Sequence, residues 1–337
     1  MINISDIREL QIEISSLCNA RCPMCMRNYH GFPYNLGYKE TNMTLEKIKS
    51  IVPESVVAQL KHVLINGNFG DLVMNPETPA VLSWLREHGR KPEPGKPGKP
   101  GLILSAFTNG GAQGRDFWQA MAATGVYLEF CIDGLEDTHH IYRQNTVFET
   151  VIKNAQIFIA AGGYANWCMT DFDHNRHQID QARERSKAMG FKKFNLRNHG
   201  RNWGPVYDQN GRKVFELKNN TGTTYPDQIT EEWINLHGNR KLPPAAHEEV
   251  ECKALHSWSP VSMYIASDGN IDPCCFIGNF SKPGTTHVED VHVLRDGATV
   301  DTLEKGITWF NQIVDTFNTP KQLTACNTYC TKKSWFQ

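Results

Sequence analysis

Three cysteines near the amino terminus have the residue type and the spacing to bind a metal centre. Cys18, Cys22 and Cys25 form a CxxxCxxC pattern directly after an alternating apolar run at residues 10–14. Such alternation predicts a half-buried strand, so the three thiols are expected on a loop at a strand end. Three thiolates on one loop suit an iron-sulfur cluster in which one iron keeps an open position, whereas structural zinc normally takes four protein ligands.

A second group of five cysteines lies near the C-terminus: Cys252, Cys274, Cys275, Cys326 and Cys330. An Asp-Gly pair at 268–269, between two strand-like runs, predicts a β-hairpin. The hairpin returns Cys274 towards the segment that contains Cys252, so four thiols are expected to converge from three segments. An iron-sulfur cluster and a four-cysteine zinc site both suit this pattern, because a hairpin with a late cysteine pair is also typical of zinc ribbons.

The remaining two cysteines, Cys131 and Cys168, are isolated in the sequence. We expect them to be buried structural residues, which is the usual state of such thiols. The clustering of the other eight favours metal ligation, since thiols in a reducing compartment rarely form disulfides. A disulfide framework is the alternative.

Composition and charge exclude several classes of protein. The chain has 337 residues, of which 40% are apolar and 21% charged, as in an ordinary soluble enzyme. The length allows one barrel-sized domain and a smaller one. A net charge of −1 gives no electrostatic reason to expect nucleic acid or a membrane surface as a partner. We find no long apolar run and no leader-like start, so we expect a cytoplasmic protein.

Strand and helix patterns alternate about six times between the two cysteine groups. After the first strand, strands are predicted at 62–65, 102–107, 126–132, 164–170 and 193–196. Helices are predicted at 44–53, 78–88, 115–123, 147–161, 176–189 and, after the hairpin, 301–317, where Asp301 is the expected N-cap. This alternation indicates parallel strands with helices packed outside and functional residues at the carboxyl ends of the strands.

The cysteine loop resembles that of the radical S-adenosylmethionine (SAM) superfamily, in which three cysteines hold a [4Fe-4S] cluster that leaves one iron for SAM. Thr108-Asn109-Gly110 resembles the family's third-strand ending, and Gly67-Asn68 loosely resembles its glycine-rich motif. The segment from Asp133 to Arg143 is similar to the "IDG…H…YR" segment of members with SPASM or twitch C-terminal domains. The SAM-binding residues expected from this resemblance and from the strand ends are Gly67, Asn68, Thr108, Asn109, Asp133, Arg143 and Arg197.

The resemblance also implies an architecture. It predicts an α/β fold, with a partial (β/α)6 radical SAM barrel over residues 1–200, a connecting or lid region over 201–250, and a C-terminal α+β twitch-like domain over 251–337. An auxiliary [4Fe-4S] cluster is expected in that last domain. Its expected ligands are Cys252, Cys274, Cys326 and Cys330, with Cys275 as an alternative to Cys274 and zinc as an alternative to iron.

The implied activity is reductive cleavage of SAM to a 5′-deoxyadenosyl radical, which takes a hydrogen atom from a peptide or a small polar substrate in an oxidation or other modification. An external one-electron reductant such as flavodoxin or ferredoxin is the expected partner. The alternative is a non-catalytic iron-sulfur or zinc protein that serves electron transfer or structure. The set of three N-terminal ligands distinguishes the two, because an electron carrier has no evident use for an open iron.

Overall fold

The computed structural model describes residues 1–33, 39–92, 101–197, 204–217, 226–234, 249–256, 261–280, 299–319, 321–323, 325–326 and 330. The strands in these ranges are β1 Glu9–Ile12, β2 Asn28–Tyr29, β3 Phe32–Pro33, β4 His62–Ile65, β5 Ile103–Thr108, β6 Tyr127–Cys131, β7 Tyr164–Thr170, β8 Lys193–Arg197, β9 Gly204–Tyr207, β10 Lys213–Leu217, β11 Ser262–Ile265 and β12 Ile271–Asp272. The α-helices are α1 Leu45–Ile51, α2 Glu54–Gln59, α3 Thr78–His88, α4 Arg115–Ala123, α5 His139–Tyr142, α6 Phe148–Ala160, α7 Ile179–Ala188, α8 Glu231–Trp233, α9 Lys253–His256, α10 Cys275–Phe280 and α11 Leu303–Val314.

Eight of these strands form one mostly parallel sheet in the order β12-β11-β1-β4-β5-β6-β7-β8. Each neighbouring pair from β11 to β8 is parallel, and β12 returns antiparallel to β11. Helical crossovers separate the successive strands from β4 to β8, as parallel pairing requires. The predicted α/β fold with a parallel sheet is confirmed, and none of the described helices has the length and apolarity to cross a membrane.

The strand β11 joins the sheet beside β1. Glu9 pairs with Ser262 and Ile12 pairs with Ile265, and the predicted hairpin connects β11 to β12 through a turn at Gly269, where φ is +87°. One sheet therefore includes strands from both the 1–200 and the 251–337 segments. The division into domains at these boundaries stays a prediction.

The two faces of the sheet differ in chemistry because successive side chains alternate between them. One face is buried against helices through residues such as Leu10, Ile12, Val63, Leu104, Leu128, Phe130 and Trp167. The other, which we call the polar face, carries Glu9, Gln11, His62, Ser105, Phe107, Glu129, Cys131, Asn166, Cys168 and Asn195. The parallel pairing also brings the carboxyl ends of seven strands to one edge, which we call the carboxyl edge.

α1 ends at Ile51, so the helix predicted at 44–53 does stop before Pro53, and that proline is also the N-cap of α2, a helix that the sequence patterns missed. One local prediction was wrong at a helix start. The cap of α11 is Thr302, whose hydroxyl accepts a hydrogen bond from Lys305 N at 3.3 Å, while Asp301 forms an ion pair with the Lys305 side chain. Both residue types suit an N-cap, and it is Thr302 whose side chain accepts the hydrogen bond from the first turn of the helix.

Candidate functional site

The cysteine loop lies at the carboxyl edge, just beyond β1. Cys22 is buried, Cys18 and Cys25 are half-buried, and all three are reduced thiols. Within the loop, the amide of Cys25 donates to the carbonyl oxygen of Cys22 at 3.0 Å, and the Asn28 side chain donates to the same oxygen at 3.0 Å. The loop therefore has a defined turn that presents its thiols together.

Burial disfavours ionisation of these thiols. It raises the pKa of Cys18 and Cys25 above the ordinary value and raises that of Cys22 to about 12, although Arg143 opposes the shift at Cys22. The thiols also repel one another's negative charge. Thiolates in this position therefore need a nearby cation, which an iron-sulfur cluster supplies, so the chemistry of the donor set fits an iron-sulfur group.

Asp71 connects the ends of β4 and β5. Its carboxylate accepts hydrogen bonds from the Thr108 hydroxyl at 2.8 Å, the Asn109 amide at 2.6 Å and the Val73 amide at 3.1 Å. Burial raises its pKa. Asn109 in turn directs its side-chain amide to Cys18 Sγ at 3.6 Å. Sequence reasoning missed Asp71, although it ends the glycine-containing segment 66–71 after β4.

Asp133 and Arg143 form an ion pair beside the same loop. Arg143 Nε lies 2.6 Å from Asp133 Oδ2, and the Asp133 side chain is 0% exposed. The Thr170 amide donates to the other carboxylate oxygen at 2.6 Å. Arg143 Nη1 lies 3.6 Å from Cys22 Sγ. Burial alone would lower the pKa of Arg143, but the Asp133 carboxylate and the Cys22 thiol hold it well above its usual value, so the guanidinium is a fixed positive charge at the cysteine loop.

Glu13 is a second residue that sequence reasoning missed. Its buried carboxylate accepts hydrogen bonds from the Phe69 amide at 2.6 Å, the Gly70 amide at 3.2 Å and the Tyr264 hydroxyl at 2.9 Å. A Cβ atom on Gly67 would lie 2.5 Å from Glu13 Oε1. The segment 66–71 thus surrounds the carboxylate of Glu13, the residue that directly follows β1, and glycine at position 67 allows the close approach.

The predicted SAM-binding residues do not all gather at the cysteine loop. Thr108, Asn109, Asp133 and Arg143 do so through the contacts above. Asn68 directs its side-chain amide to the Cys275 carbonyl oxygen at 3.0 Å, and so contacts the C-terminal cysteine group.

Arg197 extends across the polar face and packs on Phe107. Its guanidinium lies 4.7 Å from the ring centroid of Phe107. Two strands separate β8 from β5, a distance of about 14 Å in a flat sheet. The two side chains therefore meet across the polar face.

Four of the five C-terminal cysteines line a cavity of about 180 Å³ on the polar face of β1 and β11. Its walls include Cys252, Cys274, Cys275 and Cys330, together with Glu9, Gln11 and Tyr264. Burial raises the pKa of Cys252 to about 11 and raises that of Cys274 and Cys326, and neighbouring thiols add to each shift. The described side chains contain no group of three or more His, Cys, Asp or Glu placed to hold a single metal ion.

Gly70 is expected to tolerate no larger residue. A Cβ atom there would lie 1.8 Å from the Ser15 carbonyl oxygen, so Gly70→Ala must displace the cysteine loop or the segment 66–71. We expect it to lower the free energy of unfolding by about 1–3 kcal/mol, as overpacking does, in urea titrations. Gly114→Ala is the control, because no atom lies within 4 Å of its Cβ position, and equal losses in the two variants would contradict the prediction.

His139 is expected to make stability depend on pH. It is fully buried, its Nε2 faces the Thr146 hydroxyl at 3.0 Å, and its Nδ1 has no partner among the described residues. Burial lowers its pKa from 6.5 to about 4. Between these two pH values the unfolded chain binds a proton at His139 that the folded chain does not bind. The free energy of unfolding therefore falls as the pH decreases from about 6.5 to about 4, by at most about 3 kcal/mol. Urea titrations across this range should show a weaker decline for His139→Gln, whereas the exposed control His140→Gln should follow the wild type.

No protein-family model matches the sequence, and no curated protein matches it. Solved structures do. SuiB of Streptococcus suis bound to the precursor peptide SuiA superposes with a TM-score of 0.52 at 12% identity over 98% of this chain and 69% of SuiB. Histidine-tagged anSMEcpe with bound AdoMet gives a TM-score of 0.50 at 14% identity over 97% of this chain and 88% of that protein.

A further SuiB structure matches with a TM-score of 0.49 at 13% identity, over 81% of this chain and 61% of SuiB, so in that match the chain spans less than two thirds of SuiB. At sequence identities this low, the superpositions show a common fold and nothing further. The chain thus shares its α/β fold with two proteins that have been solved with bound S-adenosylmethionine.

Proposed function

We propose that this chain is a radical SAM enzyme with an auxiliary iron-sulfur cluster. The observation that carries the proposal is the cysteine loop itself: three reduced thiols in CxxxCxxC spacing lie at the carboxyl edge of a parallel sheet, with side-chain N–H groups of Asn109 and Arg143 directed at two of the sulfurs. When bound there, a [4Fe-4S] cluster would supply the electron that cleaves SAM to methionine and a 5′-deoxyadenosyl radical. The fold shared with SAM-bound structures supports this.

The chain's own residues bind and orient SAM in this proposal. Cys18, Cys22 and Cys25 ligate the cluster. Asp133 orients Arg143, and the guanidinium of Arg143 binds the SAM carboxylate. A guanidinium suits this role because its planar N–H groups can form two parallel hydrogen bonds to one carboxylate. The backbone at Gly67 and the Thr108-Asn109 turn border the same region. We propose that the sheet is a partial (β/α)6 barrel, and the contact between Arg197 and Phe107 across its polar face supports this. Such a barrel would exclude water from the reacting groups.

We propose Cys252, Cys274, Cys326 and Cys330 as ligands of the auxiliary cluster in a twitch-like domain. The cavity that three of these thiols line, and the raised pKa of Cys326 beside Cys252 and Cys330, support the grouping. Cys275 also lines the cavity and remains the alternative to Cys274. An external one-electron carrier would reduce the N-terminal cluster.

A peptide is the proposed substrate class, with a small polar molecule as the alternative. The support is the SuiB structure bound to the precursor peptide SuiA, which shares the fold. The polar face offers hydrogen-bonding groups for such a substrate, including the Glu129 carboxylate, which accepts from Asn166 and Asn195 at 2.9 Å each.

The test is metal and sulfide analysis of anaerobically reconstituted protein, followed by SAM and dithionite with detection of 5′-deoxyadenosine. About eight irons per chain and product formation are expected for two clusters. About four irons with one zinc would keep the enzyme but remove the auxiliary cluster. Absence of 5′-deoxyadenosine from iron-loaded protein would overturn the proposal in favour of a non-catalytic iron-sulfur or zinc protein.

A further inference from the structure

Cys131 and Cys168 lie opposite each other on the polar face. They are register partners in the parallel strands β6 and β7, and register partners in a sheet point to the same face. Adjacent strands are about 4.8 Å apart, within the Cα separation of about 4.4–6.8 Å that a disulfide spans. Two thiols that are 37 residues apart in the sequence are thus neighbours in the sheet, with a Cα separation that suits a disulfide.

The two thiols differ in access and in environment. Cys131 is half-buried and Cys168 is buried. A hydrogen bond from Cys168 lowers the pKa of Cys131. The positive charges of Arg143 and Arg197 act in the same direction, and burial and the Asp133 carboxylate oppose the shift without reversing it. The same hydrogen bond raises the pKa of Cys168. A partly accessible thiol with cations and a second thiol beside it matches the usual surroundings of a reactive cysteine and its resolving partner.

We propose that Cys131 and Cys168 form a site of thiol-disulfide exchange, with Cys131 as the nucleophile and Cys168 as the resolving thiol. The ligand class is an anionic low-molecular-weight disulfide, because the Arg197 guanidinium acts on Cys131 in addition to Arg143, whose charge the Asp133 carboxylate balances. The Cys131 thiolate attacks one sulfur of the disulfide, forms a mixed disulfide and releases one thiolate. Cys168 then loses its proton and attacks Cys131 Sγ, which gives the Cys131–Cys168 disulfide and releases the second thiolate. The two cysteines are oxidised by two electrons and the small disulfide is reduced to two thiols.

No step of this exchange uses SAM, although the site shares Arg143 with the proposed SAM site. Cys131 ends β6 and precedes Asp133 by two residues, so the exchange takes place close to the Asp133–Arg143 ion pair. Oxidation of Cys131 and Cys168 to a disulfide would therefore also change the surroundings of the Asp133–Arg143 ion pair.

The test is anaerobic incubation of reconstituted holoenzyme with oxidised glutathione, followed by acid quenching and peptide mapping by mass spectrometry. We expect a peptide pair linked through Cys131 and Cys168 in the wild type. Cys168→Ser should accumulate glutathione on Cys131, because the resolving step is lost. Cys131→Ser should carry at least about tenfold less glutathione on Cys168, because that thiol is buried and its ionisation is disfavoured.

Absence of the linked peptides from wild-type protein would overturn the proposal and leave two structural thiols. Equal glutathionylation of the two single variants would overturn the assignment of nucleophile and resolving thiol. Near-UV circular dichroism of each variant before oxidation distinguishes a folded from a misfolded protein. If a serine variant does not fold, the corresponding alanine variant replaces it. No step needs SAM, so failure here and failure of the proposed enzyme activity are separate results.

Discussion

Cys18→Ala is expected to abolish 5′-deoxyadenosine formation. Cys18 is one of only three thiols in the N-terminal loop, and its sulfur receives the Asn109 side-chain amide at 3.6 Å. With two thiolates left, the loop cannot hold a cluster that needs three protein ligands, so iron content should fall by about four per chain. The measurement is iron analysis with SAM cleavage under dithionite, and cleavage at more than about 1% of the wild-type rate, about 2.7 kcal/mol in barrier, would contradict it.

The matched control is Cys326→Ala, which removes a buried thiol from the other cysteine group. It should leave SAM binding largely intact, since the thiols whose charge acts on Cys326 are Cys330 and Cys252 of the same C-terminal group. Loss of SAM binding in this variant as well would contradict the division into two sites. The contacts that could transmit such a loss are the Asn68–Cys275 and Glu13–Tyr264 hydrogen bonds.

Asp133→Ala is expected to cause a large loss of stability. The Asp133 side chain is 0% exposed and that of Arg143 is 18% exposed, so the substitution leaves a buried guanidinium without its carboxylate and the Thr170 amide without its acceptor. Removing one partner of a buried ion pair costs about 3–5 kcal/mol. Urea unfolding of the two proteins at neutral pH measures the difference.

Glu136→Ala is the control for this prediction. It breaks the ion pair between Glu136 and Arg185, in which the glutamate side chain is 51% exposed. Exposed pairs contribute about 0–1 kcal/mol, because water and salt screen them. A loss in Asp133→Ala no larger than that in Glu136→Ala would show that the buried pair does not stabilise the fold.

The local elements could be predicted from the sequence because their signals are local. α3 and α4 begin and end at the predicted residues, and β4 and β7 match in both bounds. Apolar periodicity, proline and glycine positions carry this information within a few residues. Thr302, and not Asp301, is the helix cap: the two adjacent residues are both of suitable type, and the sequence pattern does not show which side chain accepts the hydrogen bond from Lys305 N.

The site was predictable in part for the same reason. The cysteine spacing, the strand-end positions of Thr108 and Asp133, and the hairpin at Asp268-Gly269 are all local features of the sequence. Asp71 and Glu13 were missed because their importance lies in their partners. Asp71 binds Thr108 and Asn109 from another strand end, and Glu13 binds Tyr264 from a strand some 250 residues later.

By itself, the sequence determined the α/β fold class, the order of the strands and helices from β4 to β8, and two groups of clustered thiols. Only the tertiary structure decided that β11 pairs with β1, that Asn68 contacts Cys275, and that Cys131 faces Cys168. These are contacts between segments far apart in the chain. Local propensity does not specify them, because each depends on the register of strands that meet only when the whole sheet has formed.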